Sequence, residues 1–219
     1  MLSKMAAMIL HFLVLSTLIL PSRSYPDLIP LNSKQGEEMI SDCIARRVCH
    51  FLSIVLDWEP QITPTFCSIA SAVNVLNALQ IPRPTSPNFL PYFSQQTFFS
   101  LPSVSSIFSE DAVRKQGMTL AELAEVLHIV GSNHITVDVF YANGEDVEQF
   151  RDHVKRCLQD KNTFIVVNYL RSAIGQTGYG HFSPIGSYHP DSDRVLVMDV
   201  SKDKHPPVWV EVDTLFVAM

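Results

Sequence analysis

Residues 61–80 read QITPTFCSIASAVNVLNALQ, and this stretch decides the fold. Pro64 disfavours helix at the residue before it, so the residues ahead of Cys67 are predicted to form a loop. The run of apolar residues after Cys67 predicts a buried helix over 67–80, which Pro82 helps to end. Cys67 therefore begins a core helix directly after a proline-containing loop.

Outward from this segment, the chain carries helical patterns first and strand patterns afterwards. Helices are predicted at 35–56, 67–80, 95–99, 119–130 and 145–160. The fourth of them is expected to begin with a capping box, in which Thr119 is the N-cap and Glu122 reaches back to it. Strands are predicted at 135–141, 163–170, 181–188, 194–200 and 208–212. This order predicts an α+β fold, with an N-terminal helical part packed on a C-terminal antiparallel sheet.

The composition is that of a single globular domain. The chain has 219 residues, of which 47% are hydrophobic and 17% charged, and its formal net charge is -6. This length is sufficient to bury a sizeable core, and since no repeat or linker divides the sequence, residues 25–219 are predicted to form one domain. No run of lysine and arginine interleaves with aromatic residues, so nucleic acid is not an expected partner.

The first 24 residues have the pattern of a secretory signal peptide. Lys4 supplies a positive start, residues 6–20 are almost all apolar, and Ser22 and Ser24 place small residues before a cleavage site. A membrane span needs about 20 apolar residues, so a stable membrane span is not expected, although an uncleaved anchor remains the alternative. The protein is therefore predicted to be exported.

The four cysteines lie at positions 43, 49, 67 and 157. An export signal permits disulfides, and Cys43 and Cys49 are close enough in sequence to bridge. Such a bridge would leave Cys67 and Cys157 unpaired. No spacing of cysteine and histidine fits a structural zinc site.

The position of Cys67 favours a nucleophile. The first turn of a helix carries free N–H groups and a partial positive charge, and both favour the thiolate over the thiol. A cysteine there can react near neutral pH. The alternative is a buried structural cysteine, the commonest fate of this residue type.

His181 and Asp199 are predicted to face each other across a hairpin. The turn between their strands is centred on Pro190, midway between the two residues, and opposite residues would then have Cβ atoms about 4.5–5.5 Å apart. A carboxylate at this distance can accept the imidazole N–H and stabilise the imidazolium. Asp199 is the only charge among residues 195–200, which are otherwise apolar, and the glycine-rich loop 175–180 ahead of His181 permits close approach by a ligand.

Gln61 is a candidate for the second half of an oxyanion site. A cysteine acyl transferase needs donors aimed at the developing oxyanion, and the Gln61 amide and the Cys67 N–H would supply two. The alternative is a solvated loop glutamine.

Taken together, these segments resemble phytochelatin synthases, the glutathione γ-glutamylcysteinyltransferases of papain-like fold, and look closest to the short, single-domain bacterial and cyanobacterial type. The matching stretches are 61–79, 95–99, 116–123, 167–184, 198–201 and 206–210. The similarity covers roughly residues 30–219. It implies Cys67 as nucleophile, His181 as general base and acid, Asp199 as orienting carboxylate and Gln61 as oxyanion donor.

The resemblance also implies a reaction. The cysteine attacks the Cys–Gly amide of glutathione, glycine leaves, and a γ-Glu-Cys acyl-enzyme passes its acyl group to a second glutathione. Transfer to water instead would make the protein a glutathione hydrolase. Heavy-metal ions such as cadmium or zinc are expected as activators or as thiolate complexes of the acceptor, with no covalent cofactor and no assigned metal ligand. A homodimer is a further expected arrangement.

Substrate-binding residues are implied at Asn168, Arg171, Gly180 and Lys202. The chain departs from the family pattern at Ser68, Lys202 and His205, where glycine, arginine and tyrosine are usual. Lysine keeps the charge of arginine but not its bidentate fork. The chain also ends earlier than the resemblance leads one to expect. These departures leave a third function open, an inactive metal- or thiol-binding relative.

Overall fold

A computed structural model describes residues 27–83, 91–131, 134–144 and 146–219. The predicted signal peptide at 1–24 lies outside them. The helices are α1 (Lys34–Arg46), α2 (Phe51–Val55), α3 (Cys67–Ala78), α4 (Gln95–Phe98), α5 (Pro102–Ser105), α6 (Glu110–Gln116), α7 (Leu120–Val130), α8 (Val147–Gln159) and α9 (Val212–Ala218). The strands are β1 (Ile29–Pro30), β2 (Val166–Leu170), β3 (Gly180–His189), β4 (Arg194–Val197) and β5 (Val208–Glu211).

The described strands form one five-stranded sheet in the order β1-β5-β4-β3-β2. Every neighbouring pair is antiparallel. Most of the helices precede the sheet along the chain, so the predicted α+β fold with an antiparallel sheet is confirmed. Among the described residues, no helix combines the length and the apolar character needed to cross a membrane.

The helix predicted after Cys67 is the centre of the molecule. Ten of the twelve residues of α3 are buried, and the helix packs on β3. Phe66, directly before it, is fully buried in a cluster with Ile69, Leu76 and Phe98. Because α3 is buried along most of its length and Cys67 packs against Phe182, its first residue lies beside the start of β3, next to His181.

The sequence predicted the start of α7 correctly and one strand wrongly. Thr119 and Glu122 form the expected capping box. The predicted helix 35–56 is divided into α1 and α2, and Arg47 at φ 60° ends α1. Residues 135–141 alternate in polarity, but they form no strand. This segment is largely exposed, and no described strand pairs with it. Alternation of polar and apolar residues therefore did not produce a strand here, because a strand needs a neighbour to pair with.

The hairpin of β3 and β4 has a different register from the predicted one. Tyr188 pairs with Val195, but Ile185 pairs with Val197, because a bulge at Gly186 inserts an extra residue in β3. Strand β4 ends at Val197 rather than at residue 200, and Asp199 N–H donates to Val197 O at 3.1 Å. The chain therefore turns after the strand, and the predicted direct pairing of His181 with Asp199 in the ladder is wrong.

All four cysteines are free thiols in the structure. The Cys43 thiol donates a hydrogen bond to Tyr188 O at 3.1 Å. Burial raises the pKa of Cys43 to about 11, which keeps the thiol protonated as that bond requires. The bridge between Cys43 and Cys49 that the sequence permitted is not present.

Candidate active site

Cys67 occupies the first position of α3 and is half-buried. Burial raises the pKa of its thiol, while hydrogen bonding from the backbone at Phe182 and Ser68 and the charge of Arg171 oppose that rise. The helix start was expected to favour the thiolate. Burial outweighs it, since desolvation penalises the charged form more than the helix terminus stabilises it.

His181 lies near the start of β3, next to Phe182, and it is buried. Its Nε2 atom is 2.9 Å from Asp199 Oδ1. Its ring and that of Tyr169 are T-shaped, with their centroids 5.8 Å apart. Burial lowers the pKa of His181, and Asp199 opposes this shift. When Nε2 carries the ring proton and donates it to Asp199, Nδ1 is left as the basic nitrogen. The two residues meet as the sequence predicted, although through the turn after β4 and not through the ladder.

Asp199 is 0% exposed and is surrounded by donors. Besides His181, it accepts hydrogen bonds from Arg171 Nη1 at 2.6 Å, Arg171 Nη2 at 2.8 Å and the Ser201 N–H at 2.8 Å. Burial alone would raise the pKa of this carboxyl, but the hydrogen bonds and charges of His181 and Arg171 lower it to about 2. The carboxylate is therefore ionised throughout the physiological pH range.

The sequence placed Arg171 on the substrate, and the structure places it on Asp199. Its guanidinium is buried, forks onto both carboxylate oxygens, and also donates to Gln176 Oε1 at 2.6 Å. Gly178 has φ 125°, and a Cβ there would lie 2.8 Å from Arg171 Cδ. The glycine-rich loop thus leaves room for the arginine stem. Sequence reasoning marked both the loop and the arginine but contained no signal that they meet at Asp199.

Gln61 lies in the loop ahead of α3, and its backbone N–H donates to Val200 O at 2.9 Å. This bond ties the loop to the residue next to Asp199. Gln61 Oε1 is buried and has no hydrogen-bond partner among the described residues. A cavity of about 120 Å³ adjoins the loop and is lined by Gln61, Ile62, Thr63, Pro64, Asp203 and Lys204. The bond from Gln61 to Val200 thus places Gln61 and Asp199 at the same end of the sheet.

The other predicted substrate-binding residues lie at the rim of this site. Asn168 pairs with Phe182 in the β2–β3 ladder, and Gly180 pairs with Leu170. Gly180 is exposed, and a Cβ there would lie 4.0 Å from Asn168 Oδ1. Lys202 is exposed in the turn that follows Asp199. Asn168 and Gly180 are therefore neighbours, whereas Lys202 belongs to a separate loop.

Among the described residues, one group of side chains has the composition of a metal site: Asp42, His189 and Asp191. Arg46 already bridges its two carboxylates, with Nε bound to Asp42 and Nη2 bound to Asp191 at 2.6 Å. The guanidinium therefore occupies oxygen atoms of both carboxylates and offsets part of their charge. This geometry gives no reason to assign a resident metal ion to the group.

Comparison with known proteins bears directly on this site. A family model described as "Phytochelatin synthase" matches residues 17–219. The chain is 31% identical over 202 residues to glutathione gamma-glutamylcysteinyltransferase 3 of Lotus japonicus, an alignment that covers 92% of this chain and 40% of that protein. It is also 31% identical over 202 residues to transferase 1 of Triticum aestivum, covering 92% and 38%, and 28% identical over 195 residues to transferase 2 of Arabidopsis thaliana, covering 89% and 41%.

These relatives are therefore much longer, and the chain spans about 40% of the length of each of them. The matched region contains the whole candidate site, from Gln61 to Lys202. Its match to the family extends over nearly all of the sequence, and the chain belongs to the phytochelatin synthase family.

Proposed function

We propose that this protein is a glutathione γ-glutamylcysteinyltransferase with a papain-like fold and a cysteine nucleophile. The observation that carries the proposal is that Cys67 lies against the strand that carries His181, next to the bond between His181 and Asp199. Cys67 begins the central helix beside Phe182, whose neighbour His181 is bonded to the buried carboxylate of Asp199. A thiol, a base and a group that orients the base form the minimal set for nucleophilic acyl transfer.

In the first half-reaction, the Cys67 sulfur attacks the carbonyl carbon of the Cys–Gly bond of glutathione. His181 takes the thiol proton on Nδ1, and the Asp199 carboxylate stabilises the imidazolium that forms. The carbonyl electron pair moves to oxygen, where the Gln61 amide and the Cys67 N–H donate hydrogen bonds. The C–N bond then breaks, His181 returns the proton to the amine of the leaving glycine, and a γ-Glu-Cys thioester remains on Cys67.

In the second half-reaction, His181 removes a proton from the α-amino group of a second glutathione, which attacks the thioester. The Cys67 thiol leaves, takes back the proton, and the product is (γ-Glu-Cys)2-Gly. A cadmium or zinc ion enters this scheme as the thiolate complex of the acceptor, and so as part of the substrate. The shifts in pKa support a neutral resting pair, because burial raises the pKa of Cys67 and lowers the pKa of His181.

The remaining expectations belong to the same proposal. Glutathione is expected to contact three residues that border the site: Asn168 through its side-chain amide, Gly180 through its exposed backbone and Lys202 through its ammonium group. The apolar segment 1–24 directs export and is removed, and two copies of the chain associate. Export can be checked by the N-terminal sequence of the secreted protein, which should begin at Tyr25.

The test is a glycine-release assay on the purified protein with glutathione. Wild type should release glycine, and Cys67→Ala should abolish release, since the proposed thioester forms on Cys67. Cys157→Ala is the matched control, because Cys157 is also half-buried but lies on α8, and it should keep wild-type activity. Mass spectrometry after brief exposure to glutathione should find the γ-Glu-Cys adduct on Cys67. Equal release by wild type and Cys67→Ala would end the proposal.

Hydrolysis of glutathione is the second candidate, and the openness of the site favours it. Tyr179, in the loop leading to His181, is 88% exposed, so water has access to this edge of the sheet. Water in place of the second glutathione would give γ-Glu-Cys and glycine. Chromatography separates the candidates, because (γ-Glu-Cys)2-Gly forms only by transfer. Metal binding without any turnover would instead indicate an inactive relative.

A further inference from the structure

Gln95 is a buried glutamine that the proposed chemistry leaves without a role. It is 1% exposed, and it is the first residue of α4. Its side-chain amide makes one hydrogen bond on each side of Gln61. Nε2 donates to Pro60 O at 2.9 Å, and Oε1 accepts from the Ile62 N–H at 3.1 Å. A single side chain therefore holds the backbone both before and after the predicted oxyanion donor.

The same loop is also fixed to the nucleophile helix. Asn74 lies on α3, two turns after Cys67, and is buried. Its Oδ1 accepts from the Glu59 N–H at 2.8 Å, and its Nδ2 donates to Glu59 O at 2.9 Å. The Glu59 carboxylate in turn accepts from the Gln95 N–H at 3.1 Å. Gln95 and Asn74 thus form, together with the Glu59 carboxyl group, a frame that joins the loop to the helix carrying Cys67.

The Gln61 side chain has no comparable support of its own. Its Oε1 atom is buried and has no hydrogen-bond partner among the described residues. The place at which its amide meets an oxyanion is therefore set by the backbone of residues 60–62. Misplacing a catalytic group by about 1 Å can cost about 100-fold in rate.

We propose that Gln95 is a positioning residue that holds the loop of residues 60–62 so that the Gln61 amide reaches the oxyanion of the tetrahedral intermediate. This inference rests on the proposed function. Gln95 suits the task because its amide offers one donor and one acceptor in a fixed plane, and these match the carbonyl at Pro60 and the N–H at Ile62. Gln95 acts through Gln61 and does not touch the substrate.

A double-mutant cycle on glycine release tests the proposal. Gln95→Met, which keeps the size of the side chain but loses both bonds, should lower kcat by about 10- to 100-fold and leave the KM for glutathione within about twofold. Gln61→Ala should lower kcat by about 100- to 1000-fold. In the Gln61→Ala background, Gln95→Met should have less than about a twofold further effect, because the group that Gln95 positions is already gone.

Two further variants separate positioning from a general structural role. Gln95→Asn keeps both the donor and the acceptor on a side chain that is one methylene shorter, so its bonds to Pro60 and Ile62 should weaken and its kcat should lie between wild type and Gln95→Met. If Gln95→Met does not fold, the kcat of this second variant tests the proposal in its place. Gln96→Met is the matched control on the same helix, because Gln96 is exposed, and its kcat should remain within about twofold of wild type.

The outcomes are distinct. If the wild-type protein releases no glycine, the proposed function and this inference fail together. If wild type is active but Gln95→Met or Gln95→Asn lowers kcat by the same factor with and without Gln61, Gln95 supports the fold in general and the inference alone is overturned.

Discussion

Asp199 and Gln61 stand at the same end of the sheet, and the structure holds them in opposite ways. Asp199 is held by charge, since a buried guanidinium and an imidazole surround its carboxylate. Gln61 is held by neutral amides, which fix its backbone and leave its side chain without a partner. We call Asp199 with Arg171 and His181 the ionic side, and the loop of residues 60–62 with Gln95 the amide side. The ionic side sets the protonation of Asp199 and His181, whereas the amide side sets the position of Gln61. Loss of one ionic partner leaves an uncompensated buried charge, whereas loss of one amide leaves an unmade hydrogen bond.

The largest effect is expected from breaking the ionic side at Arg171. Arg171→Met leaves the Asp199 carboxylate buried without its fork, which should lower the free energy of unfolding by about 3–5 kcal/mol. It should also lower kcat by about 10- to 100-fold with little change in KM, because Asp199, which orients His181, is no longer held in place by the guanidinium. Urea denaturation and steady-state glycine release are the measurements.

Arg194→Met is the matched control for this substitution. Arg194 is also buried and bonded to a carboxylate, at 2.7 Å from Glu211, but it lies at the β3–β4 turn end of the sheet. This variant should lose stability and keep the kcat of its folded fraction. A rise in KM with unchanged kcat in Arg171→Met would instead support the interpretation that Arg171 binds substrate.

A smaller effect is expected from titrating the ionic side. The pKa of Asp199 is about 2 in the folded protein, against an ordinary value of 3.8, so the unfolded chain binds the proton first as pH falls. Asp199 therefore contributes about 2 kcal/mol of stability above pH 4, and this contribution is lost as pH falls toward 2. Urea denaturation between these pH values should show that Asp199→Asn loses about 2 kcal/mol less stability than wild type.

The amide side should not share this dependence on pH. Gln95→Met should lose stability between pH 4 and pH 2 as steeply as wild type does, because burial raises the pKa of Glu59, the carboxyl group that Gln95 contacts, so that group is already mostly protonated in this range. An equal slope in wild type and Asp199→Asn would contradict the ionic account of this end of the site.

The smallest effect is expected from a substitution at Gly178, which contacts the side chain of Arg171. Gly178→Ala places a Cβ 2.8 Å from Arg171 Cδ at a backbone φ of 125°, so the fork must shift on Asp199. We expect kcat to fall about tenfold, which corresponds to about 1.4 kcal/mol. Gly144→Ala is the control, since a Cβ there meets no atom within 4 Å, and it should keep wild-type kcat. Wild-type kcat in Gly178→Ala would mean that the loop does not hold the fork.

The sequence predicted best where the signal was local. The helix from Cys67 and the capping box at Thr119 were correct, because proline, capping residues and apolar spacing act within one or two turns. The contact between His181 and Asp199 was found for an incorrect reason, since the turn lies between the paired residues His189 and Arg194 and is not centred on Pro190, and the chain turns again after Val197. The bulge at Gly186 shifts the pairing by one further residue, and a glycine inside a strand pattern is a known signal for such a bulge.

By itself, the sequence determined the class of the fold, the start of the central helix, and the residues that resemble a catalytic set. Only the tertiary structure decided what surrounds them. Arg171 meets Asp199 across 28 residues of chain, and Gln95 meets the loop of Gln61 from 33 to 35 residues away. The tertiary structure also decided that burial outweighs the helix start in setting the pKa of Cys67. Partners and desolvation at such distances depend on how the elements pack, and local sequence preferences do not contain that information.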